Sequence, residues 1–336
     1  MLVGPQEAPG SERAKPLGDD NVAVEFRPPA GLKPAQLGVI LDERVDNHDI
    51  SATIVDLAVR GHLTIEQREE KKFIWFSQSE WVLHYRENPQ DELEGYERLL
   101  YNALFASGPE VHLSELTGSF ASEYQRVQNA LYSDAQQRRW FARRPDKVRD
   151  TYAVIGFLGT GLSIGAVVLA AMYTHFALIP LALVPVALAF WALHRYMPRR
   201  TPLGSDLLRR TLGFREFIVT AETGRMQFAE EENIFAKYLP YAVMFAAVDK
   251  WARAFADLAT GPTVTSNPYG YVPYPWYIGG IGGGGFDLPS FSAALSDFSS
   301  RAGSSLSTRP ASTGSSGFGG GGFSGGGMGG GGGGSW

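Results

Sequence analysis

No cysteine occurs in the 336 residues, which excludes a disulfide framework, a cysteine-ligated iron–sulfur cluster, a thiol nucleophile and a thiolate zinc site. Charge is missing more locally: residues 151–193 hold 43 consecutive positions without Asp, Glu, Lys or Arg. The signatures of catalysis are missing too. No serine stands in a nucleophile-elbow pattern, no phosphate loop or dinucleotide fingerprint occurs, and His48, His62, His84, His112, His175 and His194 are scattered along the chain. Glycine is sparse up to residue 278, with 18 of the 40, and the other 22 crowd into the last 58 residues. The expectation is therefore a protein without enzymatic activity, cofactor or metal.

What the chain does have is one very apolar block. Two spans of about 20 residues and a tight turn fill the charge-free stretch. We read helices over 152–173 and 176–196, joined by a turn at Thr174 and His175, with Pro180 and Pro185 kinking the second. Arg138, Arg139, Arg143, Arg144, Lys147 and Arg149 precede the block, Arg195, Arg199 and Arg200 follow it, and the turn has no Lys or Arg. The positive-inside rule then puts both long flanks in the cytoplasm and only the turn outside. Trp140, Tyr152, Trp191 and Tyr196 suit the inner interface. Gly161 and Gly165 form a small-xxx-small face, suited to packing on the second helix or on another copy.

Residues 1–22 are Pro/Gly-rich and polar with no apolar signal core, and read as a disordered lead. Residues 23–150 read as a winged-helix-like domain. A helix over 34–43 and one over 50–60 capped from Asp46–Asp49 and closed by Gly61 are followed by alternating residues 62–67, a charged turn at 68–72 and residues 73–76. Further helices are expected over 91–105 and 119–141, with a short strand at 111–113. Asp42, Asp46, His48 and Asp49 could supply oxygen and imidazole ligands, but their spacing fits no ligand pattern and reads as turn and cap chemistry.

Winged helices bind DNA by laying a helix in the major groove, so charge is the test. Residues 1–150 hold 18 basic and 25 acidic side chains, a net of −7, and the helix over 50–60 offers Asp56 and the single base Arg60. That is a poor surface for phosphates, so a protein partner or self-association is expected ahead of nucleic acid, with the lipid bilayer as the other partner. A membrane-tethered transcription regulator is the alternative.

Residues 198–260 read as a helical segment: apolar positions repeat from Leu207 to Ala221, acids at 230–232 cap a helix over 234–238, and residues 241–258 form a helix too charged to span. Residues 261–336 read as a disordered tail, Pro- and aromatic-rich and then glycine-rich, with one short possible helix at 291–298. Phe286, Phe291, Phe298, Phe318, Phe323 and Trp336 are spaced like stickers on a string, and Trp336 is a possible partner contact.

Three stretches carry a resemblance. FRPPAGL at 26–32 with DNHDISATIVDLAVRG at 46–61, FAKYLPYAVMFAAVDKWARAF at 235–255, and Pro275-Trp276-Tyr277 with the glycine-rich end are similar to the YciQ-like predicted membrane proteins, a domain of unknown function. The resemblance covers roughly residues 24–336. It implies the C-terminal portion, or a short form, of proteins that elsewhere carry a signal sequence, an outer β-rich domain and a further span. It brings no activity and no catalytic residues.

Overall fold

The computed structural model describes residues 23–73, 76–87, 91–173, 178–220, 228–255, 274–279 and 288–308. The chain is mostly helical with one small mixed sheet and two candidate membrane helices.

Helix α1 (Pro34–Asp42) starts on a proline, whose missing N–H costs nothing at a helix start. It ends at Glu43, in the left-handed region at φ 64°. The Asp46 carboxylate accepts the His48 and Asp49 backbone N–H groups and the Asp49 carboxylate accepts the Asp46 N–H, a reciprocal cap that opens α2 (Asn47–Val59). Every residue of α2 from Asp49 to Ala58 is buried. Gly61, at φ 85°, then turns the chain into the sheet.

The sheet order is β3-β2-β1-β4. β1 (Leu63–Phe73) and β2 (Phe76–Tyr85) form a long antiparallel hairpin with Leu63 opposite Tyr85. The charged run at 68–72, expected as a turn, is strand. Its residues continue the ladder, and Arg68 finds Glu66 on its own strand and Glu110 on β3 (Glu110–His112). Between the hairpin and β3 lies α3 (Gly95–Leu104), and after β3 comes α4 (Ala121–Gln137). The helix expected over 119–141 stops at Gln137. Arg139 turns left-handed at φ 59°, and Phe141 forms a β-bridge with Arg200.

Next come α5 (Pro145–Tyr173), α6 (Leu178–Leu181) and α7 (Leu183–Leu193). The apolar spans are Pro145–Tyr173 and Ile179–Tyr196, with 11% and 0% of their windows buried. The second breaks at Ala182. Pro185 has no N–H to donate to Leu181, and its ring crowds the preceding turn.

After the hairpin, α8 (Pro202–Thr220), α9 (Phe228–Met244) and α10 (Val248–Ala254) return to the body. The helix expected over 241–258 is divided between α9 and α10 by a turn at Ala246, φ 51°. α9 packs on α2, and the Tyr241 hydroxyl donates to the Leu32 carbonyl. Residues from both sides of the hairpin therefore share one core, with Phe214, Phe235, Tyr238 and Trp251 packed in edge-on and stacked contacts against each other.

The expected tail needs a correction over its described parts. β4 (Tyr277–Ile278) adds in parallel to β1, and α11 (Leu288–Ser307) packs on α2 and α10. Phe291, Leu295, Phe298, Ala302 and Leu306 recur at helical spacing and are all buried. Ser, Ala and Gly residues fill many of the positions between them. Phe291 and Phe298 are core residues rather than stickers. Residues 1–22 and 309–336, with Trp336, lie outside the described residues, as do Thr174, His175 and Phe286.

Candidate functional site

Two places concentrate polar chemistry. The first is the root of the hairpin, where α1 ends. Carbonyls at a helix C-terminus attract cations, and both flanks of the hairpin supply one. Arg149 donates to the Glu43 carbonyl at 2.6 Å; Arg200 pairs with the Glu43 carboxylate at 2.9 Å and donates to the Ile40 and Leu41 carbonyls at 3.2 Å. Thr201 adds a hydrogen bond to the Arg139 carbonyl at 2.6 Å. Of the juxtamembrane bases, Arg138 is engaged by Glu94 and Asp134, and Arg144 by Asp146. The cluster thus joins both ends of the hairpin to the body.

The hairpin packs through small residues, but not the two singled out in the sequence. A Cβ on Gly156 would stand 2.5 Å from the Trp191 backbone nitrogen, and one on Gly159 would touch Ala187 at 3.4 Å. Tyr152 stacks on Phe190, rings 4° from parallel. Gly161 and Gly165 have open space where their side chains would be. They lie off the packing stripe of α5, and Gly161 lines a groove beside Leu188 and Trp191 of α7. The signal that separates the sets is helical phase: Gly156, Gly159 and Ser163 recur three and four apart on one stripe, and Ser163 is buried on it.

The second place lies at the C-terminal end of α2. Arg60 is held by three carboxylates: Nη1 to Asp91 at 2.5 Å, Nη2 to Glu97 at 2.6 Å and Nε beside Asp56 at 2.8 Å. Glu97 is fully buried, and its second oxygen accepts the Glu94 N–H at the start of α3. Burial alone would lower the guanidinium pKa, but Asp56 and Glu97 beside it raise it. Burial also pushes Asp56 up, against the pull of Arg60. His62 lies 3.3 Å from Asp91. The Tyr96 hydroxyl is buried nearby without a hydrogen-bond partner among the described residues, and burial first, then Glu97 and Asp56, push its pKa up.

Beside this network opens a cavity of about 580 Å³, walled by the turn at Pro29–Gly31, the end of α2 and α9. Sequence reading missed it because its walls come from segments nearly 200 positions apart. At the other buried carboxylate, Asp49, desolvation raises the pKa well above the ordinary range, helped by Asp46. The side chains of the acidic run at 42–49 serve as caps here, and among the described residues no group of three or more His, Asp or Glu is placed to hold a metal.

The helix over 50–60, considered above for a DNA groove, has no free face. α1, α9 and α11 cover it, and Ser51 bonds the Ser299 carbonyl.

The chain belongs to the family described as predicted membrane protein (DUF2207), C-terminal domain, whose profile matches residues 23–255. No curated protein and no solved structure matches it.

Proposed function

We propose that the chain is a multi-pass protein of the bacterial inner membrane with both termini in the cytoplasm. Its winged-helix-like and helical segments form a non-enzymatic platform for a protein partner. The supporting observation is the joint at Glu43: Arg149 and Arg200, one from each end of the hairpin, grip the end of the same helix. A body fixed to both ends of an apolar hairpin sits on one side of the bilayer in a set orientation, as a docking platform requires. The basic flanks support a cytoplasmic position for that side.

The burial of α2 supports a protein partner over DNA, because a helix enclosed by its own chain offers no groove-binding face. The test is photo-crosslinking in living cells from exposed body positions such as Arg126, followed by purification from solubilised membranes. One recurrent protein partner, crosslinked in full-length and 309–336-deleted chains alike, is expected. Recovery of this chain alone at every position contradicts the proposal. Deletions must stop short of α11, which belongs to the core.

A further inference from the structure

The cavity beside the Arg60 network collects positive charge from three further side chains. Arg27 and Lys33 bracket the turn, and Lys237 reaches in from α9. No carboxylate among the described residues forms an ion pair with any of the three, although Arg60, which lines the same cavity, is shared by three carboxylates. The Lys237 ammonium stands 5.6 Å from the Tyr238 ring centre, and Tyr241 is fixed as a wall by its bond to the Leu32 carbonyl. Asp56, the cavity's one lining carboxylate, is held by Arg60.

Like charges gathered at one opening repel each other; Lys33 feels Asp56 and Asp91, but Arg27 and Lys237 have no paired carboxylate among the described residues for compensation. A bound anion would supply it, with charge-assisted hydrogen bonds from each cation. The volume exceeds the needs of a bare ion and lies within the roughly 300–1,000 Å³ of small-molecule sites. We propose that this cavity binds a phosphate-bearing small molecule from solution, the three cations holding the phosphate and the tyrosine wall taking the body of the ligand.

A lipid headgroup has the same chemistry, and distance argues against it. Lys33 precedes the first residue of α1 and Glu43 follows its last. Ten residue steps at about 1.5 Å each separate the cavity from the membrane joint by about 15 Å along the helix.

The test uses the full chain in nanodiscs of neutral lipid at low salt, titrated calorimetrically with inorganic pyrophosphate and with ATP. Saturable binding of at least one probe is expected, weakening about tenfold for each of Arg27→Gln, Lys33→Gln and Lys237→Gln, and weakening with added salt. Ala236→Phe blocks the cavity without changing charge and abolishes binding while leaving the circular-dichroism melt in place. The proposal is overturned if neither probe binds, or if the triple Gln variant binds as the parent does. It is equally overturned if the triple variant loses only its preference for vesicles containing anionic lipid, which would assign the site to a headgroup.

Discussion

Two regions of this chain both carry large apolar side chains and are opposite in their burial. In the body, Leu37, Ile54, Phe235 and Trp251 are fully buried. In the hairpin, Phe157 is 70% and Leu162 78% exposed. The difference lies in what the chain provides to cover its own apolar surface. Each body helix meets another helix or the sheet. The hairpin has only two helices, which can cover one stripe on each. The remaining surface needs a solvent as apolar as itself, and a bilayer is that solvent. Hydroxyls follow the same rule: Thr160 and Ser163 bond back to the Gly156 and Gly159 carbonyls, satisfied within α5.

The largest blow to the body should come from Arg60→Ala. It strips the cation from buried Glu97 and Asp56, and leaving buried charge unpaired costs about 3–5 kcal/mol. Thermal unfolding of the solubilised chain should drop by many degrees. Phe298→Ala should cost a similar ~3–5 kcal/mol, because Phe298 is fully buried and packs edge-on to Trp81 at 5.3 Å. A change within a few tenths of a kcal/mol would return α11 to the role of inert tail.

In the hairpin the comparison is between two glycines. Gly156→Leu should separate α5 from α7 at a cost of ~1–3 kcal/mol. Gly161→Leu, facing open space, should leave the hairpin intact. The natural absence of cysteine makes this simple to read: the pair Gly159→Cys and Ala187→Cys should form an intramolecular disulfide in the parent and in the Gly161→Leu background, and not in the Gly156→Leu background. Dimers linked through a lone Gly161→Cys substitution would show that this face of α5 meets a second copy.

A smaller effect separates the buried carboxylates by pH. Asp49 has its pKa raised by burial, so the folded state holds that proton more tightly than the unfolded chain. Its contribution to stability is present below the ordinary carboxylate range and is lost as pH rises toward the folded value. Asp49→Asn should therefore flatten the decline in melting temperature over that window. Tyr96→Phe should be the mildest change, neutral or slightly stabilising, because its buried hydroxyl makes no hydrogen bond among the described residues.

Much of this layout was legible in the sequence. The charge-free stretch, the cap from Asp46 and the Gly61 stop are local features, set by neighbours within a few residues. The misreadings share a cause. Arg68 to Lys72 looks like a turn until a partner strand supplies its ladder, and Leu288 to Ser307 looks like filler until α2 and α10 supply a surface. Gly161 and Gly165 fit a spacing motif, whereas the packing face was chosen by Trp191 and Ala187 on the other helix. The cavity was invisible for the same reason, since Arg27, Arg60 and Lys237 meet only after folding.

The central claim is that one body, built from both flanks, sits on one side of a bilayer crossed by the hairpin. Four single-cysteine variants test it by labelling with a membrane-impermeant maleimide: Arg126→Cys in α4, Leu162→Cys in α5, His175→Cys between the two spans and Arg210→Cys in α8. In spheroplasts only the His175→Cys chain should label. In inverted vesicles the Arg126→Cys and Arg210→Cys chains should label, and Leu162→Cys should resist in both. Labelling of Arg126→Cys and Arg210→Cys from opposite sides, or of Leu162→Cys from the water, would contradict the account.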